Sequence, residues 1–209
     1  MIAIIDYNAG NLRSIEKAVE LYSNNVVITN NIETILSADK VILPGVGNFE
    51  KAMEHLLIAQ KYNNEEISLK DCIVNVINNN IPFLGICLGM QLLLDKSEEC
   101  KNNNSGLGII KGNVLKFRNV NKIPHMGWNT VSIVKDTPLF NGINNNEYFY
   151  FVHSYFVSPT NNNDILGLCE YGDNFTCALN KNNIYATQFH PEKSGKVGLK
   201  LIENFVELI

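Results

Sequence analysis

The segment Pro82-Phe-Leu-Gly-Ile-Cys-Leu-Gly-Met-Gln91 predicts a strand that passes directly into a helix. Its apolar run Phe83–Ile86 is typical of a buried strand, and apolar residues return at helical spacing after Cys87. Gly85 and Gly89 flank Cys87 in a Gly-x-Cys-x-Gly pattern, the nucleophile-elbow pattern with cysteine in place of serine. So sharp a turn strains the backbone at the nucleophile, and bulky neighbours would clash, which explains the glycines.

Cys87 is therefore the candidate nucleophile. At the start of a helix, the thiolate form is favoured, and free backbone N–H groups can stabilise an oxyanion. The alternative is that Cys87 packs as a small apolar residue, as most cysteines do. That simpler interpretation is kept for the cysteines outside such a setting, which are Cys72, Cys100, Cys169 and Cys177.

The order of elements predicts an α/β fold. Strand-like runs alternate with helical patterns through the first half, which favours a doubly wound, mainly parallel sheet with helices on both faces. After about Gly106, closely spaced β-type runs predict additional antiparallel strands, and an amphipathic helix ends the chain. No linker, repeat or charge block divides the sequence, so residues 1–209 are expected to form a single domain. The predicted strands are residues 2–5, 26–29, 41–43, 83–86, 114–117, 131–134, 148–152, 165–169 and 184–189.

Composition limits the classes of partner and the compartment. The chain has 209 residues and a formal net charge of -4, which argues against nucleic acid or an anionic membrane as a main partner. The cysteine count is odd, and no secretion signal or membrane-spanning run is recognisable, so a cytoplasmic location is expected. Short asparagine runs are interpreted as loops; they lie at residues 78–80, 102–104, 144–146 and 161–163.

A cysteine nucleophile needs a base, and His190 is the candidate. It follows a strand-like run and precedes the last helix, which places it at the edge of an α/β sheet where active-site groups gather. Glu192, two residues on, can orient the imidazole. A surface or structural role for His190 is the alternative, and His55 is interpreted as a solvated helix residue. No histidine pair has metal-binding spacing, so no metal site is predicted.

A second glycine-rich strand end, Gly45-Val46-Gly47, has two interpretations. It can supply a second oxyanion N–H group, or it can be an ordinary tight turn.

Taken together, these motifs resemble the class I (triad) glutamine amidotransferases. Within that class, six ordered segments resemble the glutaminase subunits that supply ammonia to a cyclase in histidine biosynthesis. The resemblance spans nearly the whole chain. Its segments are Asp6-Tyr7 with residues 10–14, residues 44–47, residues 85–91, Pro124-His-Met-Gly-Trp-Asn129, Phe151-Val-His-Ser-Tyr155 and residues 188–194.

The resemblance implies a role for each matched residue, and it implies no cofactor. Cys87 attacks the side-chain amide of glutamine, His190 passes a proton to the departing ammonia, and Glu192 holds His190. Backbone N–H groups meet the oxyanion, and other groups contact the substrate. Those oxyanion and substrate-binding residues are Gly45, Val46, Gly47, Leu88, Gln91, Ser154 and Tyr155.

The resemblance also implies a heterodimer with a (β/α)8-barrel cyclase subunit, which makes imidazole glycerol phosphate and AICAR. Met126, Trp128 and Lys193 are the candidate interface residues. For Trp128, the alternative is packing beneath its own loop. Binding of the acceptor by the partner is expected to switch the glutaminase on.

Three other functions stay open at this point. The chain could be a hydrolase or peptidase acting on another amide. It could be a catalytically silent, glutamine-binding regulatory subunit. It could also feed ammonia to a different acceptor enzyme, such as a sugar amidotransferase.

Overall fold

A computed structural model describes residues 1–101 and 105–209. That part of the chain contains fourteen strands: β1 (Ile2–Ile5), β2 (Val26–Thr29), β3 (Lys40–Leu43), β4 (Ala59–Tyr62), β5 (Glu65–Ser68), β6 (Phe83–Ile86), β7 (Lys96–Ser97), β8 (Gly112–Lys116), β9 (His125–Ile133), β10 (Glu147–His153), β11 (Tyr155–Pro159), β12 (Ile165–Tyr171), β13 (Asp173–Lys181) and β14 (Ile184–Thr187).

The same residues form six α-helices: α1 (Leu12–Val19), α2 (Ile32–Leu36), α3 (Phe49–Leu56), α4 (Leu69–Asn78), α5 (Leu88–Leu92) and α6 (Gly195–Leu208). Three short 3-10 helices cover Pro138–Phe140, Asn162–Asp164 and Pro191–Lys193. Among the described helices, none has the length and apolar character needed to cross a membrane.

The parallel part of the sheet has the order β2-β1-β3-β6-β14. All four residues of β1 are buried, as expected for a strand with helices on both faces. Ile2 and Ile4 share a core with α1 and α6, whereas Ala3 and Ile5 share the opposite core with α2, α3 and α4. The predicted α/β class with a parallel core is therefore confirmed.

Beyond β14, the sheet continues through β13, β12, β9 and β10, each antiparallel to its neighbour. β11 pairs antiparallel with both β13 and β8, and β7 runs parallel to β8. The predicted antiparallel additions are thus present, although their bounds differ. The run predicted at residues 131–134 lies at the end of β9, which begins at His125, and the run at 184–189 ends as a strand at Thr187.

Some elements were not predicted. β4 and β5 form a small hairpin of mostly polar residues around Asn63 and Asn64, both with positive φ, as a tight hairpin turn requires. α2, β11 and β13 were also missed.

The asparagine runs have different structures. Residues 144–146 form the predicted turn, but α4 extends to Asn78, and the run at 161–163 enters a 3-10 helix. Residues 102–104 lie outside the described residues.

Two glycines bring α5 against the ends of β3 and β6. A Cβ atom on Gly89 would overlap the carbonyl oxygen of Leu43, and one on Gly85 would lie 2.9 Å from the carbonyl oxygen of Gly89. The absence of side chains at both positions therefore allows the close strand-to-helix turn that the sequence predicted.

We expect Gly89→Ala to destabilise the fold by about 3 kcal/mol, the upper end of the cost of overpacking, because rigid backbone must move to admit the methyl group. Urea unfolding would measure this loss. Leu21→Ala is the control, since Leu21 is 62% exposed, and its stability should stay near that of wild type. A Gly89→Ala protein as stable as this control would contradict the proposed packing.

Candidate active site

Cys87 lies at the junction of β6 and α5 with φ 55° and ψ -107°. A non-glycine residue with positive φ is uncommon, and such backbone strain clusters at functional sites. The Cys87 N–H donates to the carbonyl of Thr187 at 2.7 Å, and the Cys87 carbonyl accepts from the N–H groups of Met90 and Gln91. Cys87 is buried, which is compatible with a packing role as well as with a nucleophile. The strained backbone conformation favours the role of nucleophile.

His190 lies beside this turn because β14 and β6 are parallel neighbours, with Thr187 opposite Ile86. The residues that follow the two strands therefore meet at the same edge of the sheet. His190 Nδ1 lies 2.8 Å from Glu192 Oε1, and both side chains are buried. The backbone N–H of His190 donates to the carbonyl of Tyr150 at 2.9 Å, which ties the turn to β10.

The electrostatics of His190 fit a base paired with a cysteine. Burial by itself would lower its pKa, but the neighbouring Cys87 and Glu192 side chains outweigh burial and raise the pKa of His190 to about 10. His190 Nε2 and Glu192 Oε2 are buried and make no hydrogen bond within the described residues. The imidazole thus has one nitrogen fixed by Glu192 and the other available for proton transfer.

Gln91 and Gln188 connect the nucleophile to the neighbouring strands. Gln188 Nε2 donates to Cys87 Sγ at 3.6 Å, and Gln188 Oε1 accepts from Gln91 Nε2 at 3.0 Å. Gln91 Nε2 also donates to the carbonyl of Tyr155 at 3.0 Å. Both N–H bonds of the Gln91 amide are therefore used inside the protein, which leaves its carbonyl oxygen to accept from a ligand.

The strand end Gly45-Val46-Gly47 lies against the elbow. The N–H of Leu88 donates to the carbonyl of Gly45 at 3.3 Å. Because a trans peptide directs its C=O and N–H to opposite sides, the N–H of Val46 points away from Leu88. In this arrangement, the Leu88 N–H, which the family resemblance assigns to the oxyanion, is already bound to the Gly45 carbonyl. The buried Tyr7 hydroxyl donates to the carbonyl of Pro44 at 2.8 Å and so holds the start of the segment.

Cys87 opens onto a cavity of about 380 Å³. The predicted residues that line it are Val46, Gly47, Cys87, Leu88, Gln91, Ser154 and Tyr155. The lining also includes Glu99, Pro124, Val152 and His153, which were not among the predicted site residues. Glu99 Oε2 accepts from the N–H of Phe49 at 2.7 Å, which fixes this carboxylate at the wall. No motif pointed to Glu99, and only the fold brings it to the cavity.

The three candidate interface residues are exposed. Met126 and Trp128 are 59% and 55% exposed, and Lys193 is exposed on the 3-10 helix after His190. Trp128 lies on strand β9, not on the predicted loop, and its ring meets Tyr150 edge-on with centroids 6.1 Å apart. The alternative of burial beneath its own loop therefore does not hold.

The remaining histidines are more constrained than the sequence indicated. His55 lies on α3 as predicted, but its half-buried ring is not simply solvated, because Nδ1 donates to the carbonyl of Tyr7 at 2.9 Å. His125 and His153 are buried together, with His125 Nδ1 3.0 Å from His153 Nε2. The described residues contain no group of three or more potential ligands arranged to hold a metal ion.

A family model described as "Glutamine amidotransferase class-I" matches residues 3–208, and the chain belongs to this family. It is therefore an enzyme of the glutaminase type with a cysteine nucleophile. The chain is 66% identical to "Imidazole glycerol phosphate synthase subunit HisH 1" of Methanococcus maripaludis and 62% identical to the corresponding HisH subunit of Methanocaldococcus jannaschii, with 100% of both chains covered in each case.

Two solved structures show the same fold. "Structure of PurLQS from Thermotoga maritima" matches with a TM-score of 0.72 at 16% identity, covering 99% of this chain and 97% of that one. "Crystal structure of glutamine amidotransferase" matches with a TM-score of 0.71 at 15% identity, covering 100% and 98%. These likenesses confirm the predicted fold class.

The raised pKa of His190 predicts how the Glu192 carboxylate affects stability. A histidine whose folded pKa exceeds its unfolded value of about 6.5 stabilises the fold fully below pH 6.5, and this contribution is lost as pH rises through about 10. Glu192→Gln should therefore lower the free energy of unfolding by about 2 kcal/mol at pH 6, which is in the range of a hydrogen bond to a charged group. The loss should become progressively smaller toward pH 10.

Urea unfolding of both proteins at several pH values between 6 and 9.5 would measure this difference. Glu203→Gln is the control, because it also removes a carboxylate from an ion pair, but its partner Lys200 is not a histidine and the pair is partly exposed. A cost for Glu192→Gln that did not change with pH would contradict the charged pair.

Proposed function

We propose that this chain is the glutaminase subunit of an imidazole glycerol phosphate synthase. It hydrolyses glutamine to glutamate and ammonia, and the ammonia passes to a cyclase subunit in histidine biosynthesis. The arrangement of Cys87, His190 and Glu192 at one edge of the sheet carries the proposal. The relatives named as subunits of that synthase support the choice of the cyclase as the ammonia acceptor. We further propose one domain over residues 1–209 and a cytoplasmic location.

In the proposed reaction, the Cys87 sulfur attacks the side-chain amide carbon of glutamine and forms a tetrahedral intermediate. The C–N bond then breaks, and His190 gives its proton to the leaving nitrogen, so that ammonia and a glutamyl thioester result. Water, deprotonated by His190, next attacks the thioester and breaks the C–S bond. Glutamate leaves, and the thiol is restored. Glu192 holds the imidazole in the tautomer that presents Nε2 to the sulfur.

The cavity offers partners for the amino-acid end of glutamine. The Gln91 carbonyl oxygen and the Glu99 carboxylate are both suited to an α-ammonium group, because both are acceptors and Glu99 is negatively charged. The backbone at Ser154 and Tyr155 lies beside them. This arrangement directs the side-chain amide of glutamine toward Cys87.

An oxyanion site is proposed to form by rotation of the peptide between Gly45 and Val46. Rotation would withdraw the Gly45 carbonyl from Leu88 and turn the Val46 N–H toward the reacting carbon. Gly47 has φ +111°, and a Cβ placed on it would meet no atom within 4 Å, so the backbone beside this peptide has room to move. One oxyanion donor is typically worth about 100- to 1,000-fold in rate, which makes this peptide an effective switch.

The partner is proposed to be a (β/α)8-barrel cyclase subunit that binds beside the cavity and forms a heterodimer. Large apolar side chains are exposed on this part of the surface, and their exposure to water does not stabilise an isolated chain. They are Ile123, Met126, Trp128 and Tyr148. Trp128 on its rigid strand suits an interface hot spot, and Lys193 adds a positive charge beside the His190 turn. Ammonia released at Cys87 would then enter the partner directly.

Cys87→Ala tests this division of labour. In the assembled synthase, it should abolish activity with glutamine and leave activity with ammonium salts near that of wild type, because only the glutaminase step needs the sulfur. Glutamate release and imidazole glycerol phosphate formation would be measured for the chain with its cyclase subunit and nucleotide substrate. Loss of both activities would contradict the proposal.

The wild-type measurements separate the other candidate functions. Glutamate release that the cyclase subunit stimulates strongly supports the synthase. A rate of glutamate release that the cyclase subunit does not change indicates another acceptor enzyme or an independent hydrolase. No release in any combination indicates a silent regulatory subunit.

Trp128→Ala should weaken association with the cyclase subunit by about 30-fold or more, which corresponds to a hot spot of about 2 kcal/mol. Titration calorimetry would measure the dissociation constant, and urea unfolding should show little change, since the ring is 55% exposed. Leu21→Ala is the matched control, because Leu21 is also exposed but lies beyond the end of α1, near the opposite edge of the sheet. Equal dissociation constants for both variants would contradict the interface.

A further inference from the structure

The buried histidine pair has no task in the reaction described above. His125 begins β9, His153 ends β10, and the two residues lie directly opposite each other across these strands. They are only 3% and 6% exposed. Two ionisable rings buried in contact are costly unless their hydrogen bonds are satisfied, so their arrangement invites a functional explanation.

The hydrogen bonds of the pair run in one direction. His153 Nδ1 lies 2.7 Å from the carbonyl oxygen of Tyr155, which can only accept, so Nδ1 carries the proton and Nε2 is the acceptor. His125 Nδ1, 3.0 Å from that Nε2, must therefore donate. This leaves His125 Nε2 as the acceptor for Asn129 Nδ2 at 3.3 Å.

The first member of the chain is itself fixed. Asn129 Oδ1 accepts from the N–H of Thr130 at 2.8 Å, and Asn129 Nδ2 also donates to the carbonyl of Glu170 at 2.8 Å. These two bonds determine which end of the amide faces His125. The donor sequence from Asn129 through His125 and His153 to Tyr155 is therefore consistent at every atom.

Both rings must be neutral for this chain to exist, and their surroundings favour neutrality. Burial lowers the pKa of His125 to about 4. The pKa of His153 falls to about 3, because burial and the charges that His125 and His190 would carry outweigh its bond to Tyr155. Aromatic side chains surround the pair, with Tyr171 stacked on His125 at 4.1 Å and Phe151 at 4.8 Å.

The chain ends on an atom that the glutamine pocket uses. The carbonyl oxygen of Tyr155 accepts from both His153 Nδ1 and Gln91 Nε2, so both of its lone pairs are occupied. Moving this oxygen would therefore move Gln91, whose own carbonyl oxygen is proposed to receive the substrate. Without the His125 donor, His153 Nε2 would be a buried acceptor without a partner. The His153 ring would then be stabilised by tilting until Nε2 meets water in the cavity that His153 lines, which draws its Nδ1–H away from the Tyr155 carbonyl.

We propose that His125 is a positioning residue for glutamine binding, acting through His153 and the Tyr155 carbonyl to fix Gln91. This inference rests on the proposed glutaminase function. It assigns to His125 a donor role at Nδ1 that is distinct from filling space among the aromatic rings.

Two substitutions separate donation from packing. His125→Phe keeps a ring between Phe151 and Tyr171 but cannot donate. His125→Asn loses the ring but retains an N–H at the same place, since this nitrogen and histidine Nδ1 are both attached to Cγ. Tyr171→Phe is the matched control, because it removes the hydroxyl of the ring stacked on His125, with its hydrogen bond to the Lys122 carbonyl, and leaves the donor chain intact.

The assay is KM and kcat for glutamine in the complex with the cyclase subunit and its nucleotide substrate, together with the urea midpoint. For His125→Phe, we expect KM to rise about 10-fold, the effect of one lost hydrogen bond, with kcat nearly unchanged and the midpoint near that of wild type. His125→Asn should have the lower midpoint but a KM within about threefold of wild type. Tyr171→Phe should leave KM unchanged.

If His125 acted only by packing, His125→Asn would have a higher KM for glutamine than His125→Phe. If His125→Asn has the higher KM, or if His125→Phe leaves KM unchanged in an active complex, the positioning role is overturned and the proposed function stands. The ¹⁵N spectra of the chain provide a readout without catalysis. They should show Nδ1–H in both rings, and His125→Phe should change the chemical shift of His153 Nε2, because that nitrogen loses its donor. An Nε2–H tautomer in wild type overturns the chain of donors. A wild-type complex that releases no glutamate overturns the proposed function and, with it, the role in glutamine binding.

Discussion

The positive φ of Cys87 is the constraint on which the site depends. A conformation of this kind costs about 1–3 kcal/mol and persists only when the surroundings determine it. Here, the Cys87 N–H is bound to Thr187, its carbonyl caps the first turn of α5, and Gly89 lets that helix contact the end of β3. The bond to Thr187 and the contact of Gly89 with β3 each need a neighbouring parallel strand. The turn therefore forms only within the completed sheet, and it brings the sulfur to the edge where β14 also ends.

The same edge holds the proposed base, and beside it lies the strand end proposed to complete the oxyanion site. His190 is held at its backbone by Tyr150 and at Nδ1 by Glu192, and both side chains are buried. The pair therefore has little freedom to change with the state of the enzyme. The Gly45 carbonyl, by contrast, is held by a 3.3 Å hydrogen bond from the Leu88 N–H, and two residues on Gly47 has open space around it. In the proposed site, a buried nucleophile and base thus lie beside a weakly held strand end.

Local signals in the sequence were sufficient for the parallel core and for the sharp turn at Cys87. Ile2–Ile5 and Phe83–Ile86 are continuous apolar runs, and the glycines around Cys87 mark a turn that few other residues permit. β13 was missed because polar residues such as Asn174 and Asn180 interrupt its apolar pattern, although its centre is buried. Glu99 and the His125–His153 pair were beyond prediction for another reason. Their positions depend on strand register and on the path of the chain after α5, which no short motif records.

Regulation of such a site must act on its least constrained part. Displacing His190 or Glu192 would expose or separate a buried charged pair, which is strongly destabilising. Rotating the peptide between Gly45 and Val46 breaks the hydrogen bond to Leu88, which is worth about 1 kcal/mol, and moves a side chain, Val46, that is 39% exposed. A partner that binds over Met126 and Trp128 need supply only a small difference in binding free energy between the two peptide orientations. On the proposed function, the buried triad and the weakly held strand end together would let docking control the rate while the nucleophile and base remain in place.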